Sequence, residues 1–175
     1  MGKTVLTEKE IALAVNRIAY EVVESLGDRD DLCVVGIRSR GVPLAFRLAQ
    51  AIATVTGGQV PVGILDITVF RDDLITASTI PEARSTEIDF DVNGKRIVLV
   101  DDVLFTGRTI HAAIAALMQL GRPALIRTAV LIDRGHRELP IHADFVGKSI
   151  DTLYGESVDV FLSETDGQDI VKLKG

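Results

Sequence analysis

Ile11, Ala14, Val15, Ile18, Ala19, Val22 and Val23 recur every three or four residues, the period of a helix with one apolar face. Thr7 stands three residues before Glu10, the spacing of a capping box, and Gly27 closes the run, so the pattern predicts a helix over about 8–26. LCVVGI (32–37) is apolar throughout and rich in β-branched residues, the mark of a strand buried on both faces. Pro43 suits a first helical position, LAFRLAQAIAT carries that helix to about 54, and Gly57-Gly58 breaks it. VPVGILDITVF (60–70) reads as a strand of mixed pattern and KRIVLV (95–100) as a second buried strand. TIHAAIAALMQL (109–120) reads as a helix, ALIRTAVLID (124–133) as a strand, and SVDVFL (157–162) as the last strand. Asn93-Gly94 marks a turn of the kind that closes hairpins. Residues 71–91 carry neither period, and so long an irregular stretch in a compact domain is a lid or a binding loop. Alternating strands and helices predict an α/β fold, a central mostly parallel sheet flanked by helices with right-handed crossovers. The length suits a single domain, 1–175.

Composition narrows the classes. Hydrophobic residues make up 47% but aromatics only 5%, with no Trp, so aliphatic side chains must fill the core. A formal charge of −6 argues against a general, sequence-blind nucleic-acid binder, though it leaves room for a local basic patch. The single cysteine, Cys33, sits in the apolar run LCVVGI and reads as a small buried hydrophobe. The N-terminal MGKTVLTEKE has no apolar signal core, and no apolar stretch is long enough to span a bilayer, so the expectation is a cytoplasmic protein with no membrane partner.

The chemistry concentrates in VLVDDVLFTGRT (98–109). A buried strand runs into Asp101 and Asp102, and a short turn leads into the next helix. In open α/β sheets ligands bind beyond the carboxyl ends of the strands. A helix N-terminus offers unpaired N–H groups and partial positive charge, Gly107 allows close backbone approach, Thr106 and Thr109 supply hydroxyls, and Arg108 adds charge. The turn reads as a phosphate cradle. The acids repel a phosphate, so they suit sugar hydroxyls or a site near a divalent cation. Phosphate beside a diol is the pattern of a ribose 5-phosphate. A P-loop needs GxxxxGK[ST], which is absent. A receiver-type acidic pocket carries its pair after the first strand, whereas here it follows the third. A capping turn with two solvated acids remains a second reading.

This motif resembles the PRPP-binding signature of type I phosphoribosyltransferases. With DITVFRDDL (66–74), LGRPA (120–124) and VLIDRGHRELPIHADFVGK (130–148) it resembles the PyrR family of pyrimidine operon regulators and uracil phosphoribosyltransferases, over nearly the whole chain. The resemblance implies the type I phosphoribosyltransferase fold, with a flexible lid at about 71–91 and a small C-terminal hood at about 134–160. It implies that Asp101 and Asp102 hold the ribose hydroxyls of PRPP, and that the 103–109 turn (Val103, Leu104, Phe105, Thr106, Gly107, Arg108, Thr109) holds the nucleotide, with the 5-phosphate at Thr106 to Thr109. Ser39, Arg40 and Gly41 would contact the diphosphate, with Arg40, Asp101 and Asp102 catalytic and a non-proline cis peptide at Ser39–Arg40. Arg71 and Asp72 would sit at the base of the lid. Arg134 would meet uracil, and His136 either meets the base or makes a loop hydrogen bond.

The reaction implied is uracil plus PRPP giving UMP and diphosphate, with Mg²⁺ held mainly by substrate. The family also binds pyrimidine-gene messenger RNA leaders when UMP is present. Candidate RNA contacts here are Arg17, Arg137, His142 and Lys148. The better-known RNA-binding members carry threonine, histidine and arginine where this chain has Asn16, Tyr20 and His142, so a uracil phosphoribosyltransferase with lost or altered RNA binding is the alternative. The resemblance further implies a homodimer or homotetramer.

Overall fold

The computed structural model describes residues 2–27, 30–70 and 86–175. Thr7 caps helix α1 (Glu8–Leu26) in the expected way. Its hydroxyl accepts from the Glu10 N–H at 3.4 Å, and the Glu10 carboxylate accepts from the Thr7 N–H at 2.8 Å. Strands β2 (Leu32–Ile37), β3 (Val62–Leu65), β4 (Arg96–Leu104), β5 (Leu125–Asp133) and β6 (Phe145–Ser149) form one parallel sheet in the order β3-β2-β4-β5-β6. Helix α2 (Gly41–Thr56) shares a core with α1 on one face, while α3 (Arg108–Leu120) fills the other. Successive strand residues alternate between these cores. Val34, Val98 and Val100 face α1 and α2; Val35, Ile97 and Leu99 face α3.

A second, antiparallel sheet joins the two ends of the chain. Strand β1 (Lys3–Thr7) pairs with β8 (Ile170–Lys174), and β8 with β7 (Ser157–Phe161). Neither β1 nor β8 is expected from hydrophobic pattern, because each is too short and too mixed to declare itself without its partner. A four-residue helix, α4 (Ser163–Asp166), links β7 to β8. Arg47 of α2 staples this link. Its guanidinium donates to Glu164 Oε1 at 2.7 Å, Asp169 Oδ2 at 2.6 Å and Ser163 Oγ at 3.0 Å.

Hydrogen bonds from Arg47 hold the Glu164 and Asp169 carboxyls below their ordinary range. A depressed folded-state pKa adds stability above the unfolded value, and that stability is lost as pH falls through the folded one. Asp169 is the better buried acid and carries most of the effect; Glu164 is substantially screened by solvent. Arg47→Met is therefore expected to cost about 1–3 kcal/mol at neutral pH. The difference from wild type should shrink as pH drops below the carboxylate range, as read by urea melts across that range.

Four expectations are corrected in detail. β3 is shorter than 60–70 because Asp66 ends it, its Oδ1 accepting from the Thr68 N–H at 2.9 Å and from the Thr68 hydroxyl at 2.6 Å, and a 3₁₀ turn follows at Thr68–Phe70. Asn93-Gly94 closes no hairpin. Asn93 Oδ1 accepts from the Arg122 N–H at 2.8 Å, and the Gly94 N–H donates to the Arg122 carbonyl at 2.9 Å, so the turn is stitched to the chain after α3. The cis peptide is Arg38–Ser39, one residue before the expected bond. Arg40 already has helical dihedrals (φ −80°, ψ −17°) as the residue that opens α2, which starts two residues earlier than Pro43. Cys33 is fully buried and free, and burial pushes its thiol up, as suits an inert core residue. Among the described residues no helix is long and apolar enough to cross a membrane.

Candidate active site

Strand order places the site. From β2 the chain moves outward to β3, then returns to the opposite side of β2 for β4 and continues to β5 and β6. The reversal opens a crevice at the carboxyl ends of β2 and β4, where such sheets bind ligands. The loop after β2 and the acidic end of β4 meet there. A Cβ added to Gly41 would lie 2.5 Å from the Val100 carbonyl oxygen and 3.2 Å from Asp101 Cα, so only a glycine fits between the loop and the strand.

The acids lie inside β4 rather than beyond its end. Pairing with β2 stops at Val100, while pairing with β5 continues through Leu104. From Asp101 onward the strand thus has a neighbour on one side and turns its other edge to the crevice. Asp101 is buried, with Oδ1 accepting from the Asp102 N–H at 2.9 Å, and Asp102 Oδ1 accepts from the Val103 N–H at 2.8 Å. Each carboxylate is oriented by the next amide.

The turn behind them closes into a cradle. Gly107 opens α3 with φ +92° and has no side chain to cap the helix, and the Thr106 hydroxyl accepts from the Arg108 N–H at 3.4 Å. An added Cβ at Gly107 would lie 3.0 Å from Ile141 Cβ, so the turn packs closely under the 138–141 segment. Val103 through Ile110, with Glu138, line a cavity of about 360 Å³. Thr106 and Thr109 are half-buried within it. Arg108 Nε donates to Glu138 Oε2 at 2.8 Å, and the Tyr154 hydroxyl donates to Glu138 Oε1 at 3.2 Å. Glu138 thereby ties the cradle to the 150s segment, a link with no local sequence signal.

The remaining candidates separate into groups. Arg134 is buried, its guanidinium 4.0 Å over the Phe105 ring and donating to the Leu153 carbonyl at 3.1 Å. It therefore reaches the crevice through Phe105, which also meets His136 and Tyr154 at centroid distances of 6.0 and 5.6 Å. His136 makes the loop hydrogen bond, with Nε2 2.7 Å from the Thr152 carbonyl oxygen and donating to it. Arg137 is a clamp rather than a surface cation. It donates to the Phe105 carbonyl at 2.7 Å, the Ile141 carbonyl at 2.8 Å and Asp133 Oδ2 at 2.5 Å. Arg17 and Lys148 are exposed near β6. Arg17 donates to the Val146 carbonyl at 3.1 Å and to that of Gly147, covering the open sheet edge, and Lys148 donates to the Val5 carbonyl at 3.1 Å. His142 is exposed three residues before β6. Arg71 and Asp72 lie outside the described residues.

Residues 1–165 match the family model described as phosphoribosyl transferase domain, which defines the class. Solved structures share the fold. A hypoxanthine-guanine phosphoribosyltransferase from Bacillus anthracis superposes with a TM-score of 0.74 at 18% identity, covering 97% of this chain and 96% of that one. A hypoxanthine phosphoribosyltransferase of Trypanosoma cruzi gives 0.72 at 20% identity, covering 98% and 96%. Among curated relatives, the bifunctional protein PyrR of Chloroflexus aurantiacus is 57% identical over 99% of this chain and 96% of its own length, and that of Pelotomaculum thermopropionicum is 56% identical over 95% and 92%. The chain belongs to the PyrR family of phosphoribosyltransferase-domain proteins.

Proposed function

We propose that this protein transfers ribose 5-phosphate from PRPP to uracil, forming UMP and diphosphate, and that it binds pyrimidine-gene messenger RNA leaders in response to UMP. The observation that carries the reading is the close seating of the Ser39–Gly41 loop on Asp101, with the glycine-led start of α3 a few residues downstream. Diphosphate, ribose diol and 5-phosphate each find a complementary surface along one short path.

In this reading the N–H groups of Gly107 to Thr109, with the Thr106 and Thr109 hydroxyls and Arg108, hold the 5-phosphate. Asp101 and Asp102 accept hydrogen bonds from the ribose hydroxyls. As uracil N1 bonds to C1 of the ribose, the bond from C1 to the diphosphate oxygen breaks and positive charge develops on the ring, and the N1 proton passes to the departing diphosphate or to water. Both carboxylates are placed to favour that charge, while Arg40 and the loop amides take up the charge gathering on the leaving diphosphate. Phe105, backed by Arg134, walls the base side within a hood at 134–160. Residues 71–85 of the expected lid lie outside the described residues.

Among the described residues no group of three or more His, Cys, Asp or Glu could hold a metal ion. Two adjacent carboxylates beside a phosphate-rich substrate suit Mg²⁺ carried mainly by substrate oxygens. When bound, Mg²⁺ would neutralise charge on the diphosphate.

For RNA, the exposed Arg17, Lys148 and His142 flank β6 and form the proposed basic surface; Arg137 supports it from within by holding the 133–141 segment to Phe105. UMP in the crevice and RNA on this face are linked equilibria, so product accumulation favours RNA binding. We place the protein in the cytoplasm as a homodimer or homotetramer.

The test pairs two assays: UMP formation from uracil and PRPP, and filter binding of a pyrimidine leader RNA with and without UMP. Both are expected to be positive, with RNA retention rising on addition of UMP. No UMP formation overturns the enzymatic reading. UMP formation without RNA retention leaves the phosphoribosyltransferase alone.

A further inference from the structure

Arg40 is the cation of the proposed diphosphate loop, yet nothing in that loop sets its direction. Its partner comes from the opposite end of the chain. Arg40 Nη2 donates to Asp166 Oδ1 at 2.9 Å, and Arg40 Nε is buried with no partner of its own. From these contacts we infer that Asp166, at the end of α4, is a positioning residue that holds the Arg40 guanidinium toward the diphosphate.

The two oxygens of Asp166 divide the work. Oδ2 accepts from the Leu162 N–H at 2.9 Å and from the Thr165 hydroxyl at 2.8 Å, and Oδ1 receives Arg40. Leu162 is fully buried, so the carboxylate is referred to the core rather than to a free loop. Arg47 anchors the same turn through Ser163, Glu164 and Asp169. Arg40 stands at the N-cap of α2 and Arg47 lies seven residues further on, within it, so the short turn is held at two points along α2. The Leu162 amide, the Thr165 hydroxyl and Arg40 keep the Asp166 carboxyl below its usual range, hence charged at neutral pH.

A free arginine samples many rotamers, and ordering it on a ligand weakens binding. A carboxylate that pre-sets the guanidinium removes that penalty before diphosphate arrives. The second sheet acquires a role in this way: it carries the turn that aims Arg40. The inference rests on the phosphoribosyltransferase reading and on Arg40 contacting the diphosphate.

A double-mutant cycle tests both separately. Asp166→Asn keeps an oxygen for the Leu162 N–H but removes the charge that holds Arg40. It is expected to lower kcat/KM for PRPP about tenfold, mainly through KM, and to weaken product inhibition by diphosphate in proportion. KM for uracil and the melting temperature should stay near wild type. In an Arg40→Ala background the same substitution is expected to change PRPP kinetics less than about twofold, since there is nothing left to position. If Arg40→Ala leaves PRPP kinetics intact, the role of Arg40 falls. If Arg40→Ala is damaging but Asp166→Asn is neutral, tightens PRPP, or costs the same in both backgrounds, the positioning inference falls alone. Should Asp166→Asn not fold, Asp166→Ser, which retains an acceptor for Leu162, takes its place in the cycle.

Discussion

Gly41→Ala is expected to lower phosphoribosyl transfer at least about 10²-fold while costing about 1–3 kcal/mol of stability. The reason is steric. The new methyl would sit 2.5 Å from the Val100 carbonyl oxygen, well inside van der Waals contact, and 3.2 Å from Asp101 Cα. Neither neighbour can yield easily. Val100 belongs to the central strand, and Asp101 remains in register with Val130 of β5. The helix side is crowded too, since Gly36 lies close beneath the Gly41 carbonyl and the first turn of α2. The loop must therefore lift off the strand and carry Ser39 and Arg40 away from the acids. Misplacement of a binding group by about 1 Å costs on the order of 10² in rate. Steady-state kinetics with PRPP and uracil, beside thermal melts, check the pair of effects. A Gly41→Ala protein with near-normal turnover would show that loop and strand need not touch for the chemistry.

Arg40→Ala is expected to lower turnover by about 10²–10³ with the fold preserved. Its guanidinium is the cation proposed to face the departing diphosphate, where charge grows as the C1–oxygen bond stretches. Its structural ties are few: one hydrogen bond to Asp166 and a side chain 37% exposed. Little packing is lost, so urea melts should move by far less than they do for Gly41→Ala. A fall confined to PRPP-dependent steps, with uracil binding intact, is the expected signature. Turnover close to wild type would remove Arg40 from the mechanism and leave the loop amides to hold the diphosphate unaided.

Much of this site was legible before any coordinates. The capping box at Thr7 and Glu10, the buried strand at 32–37 and the turn before α3 are written in contiguous residues; local hydrogen bonds realise the cap and the turn, while the strand is completed by its distant neighbours β3 and β4. The acidic pair followed by a glycine turn points to a sugar-phosphate site because like charges exclude one role and a helix start invites another. Where expectation slipped, the deciding partner was distant. The paired Asp residues belong to β4 because β5 runs four residues further along it than β2 does. Asn93-Gly94 faces Arg122 instead of a second strand. Arg134 and Arg137, read as ligand-facing cations, also donate to carbonyls and, for Arg137, to Asp133, contacts with no local signal; Arg134 lies over the Phe105 ring and keeps its Nε buried without a hydrogen-bond partner among the described residues.

Periodicity, caps and short motifs are properties of neighbouring residues, so the chain by itself settled the central elements and the parallel alternation, and it carries the motif from which the proposed chemistry of the 98–109 segment is read. Tertiary structure alone decided which residues stand behind that chemistry. β1 and β8 exist because they pair across some 160 residues, and the pairing delivers Asp166 to Arg40. Hydrophobic patterning reports which faces must be buried, but it carries no signal for which charged groups will meet once they are.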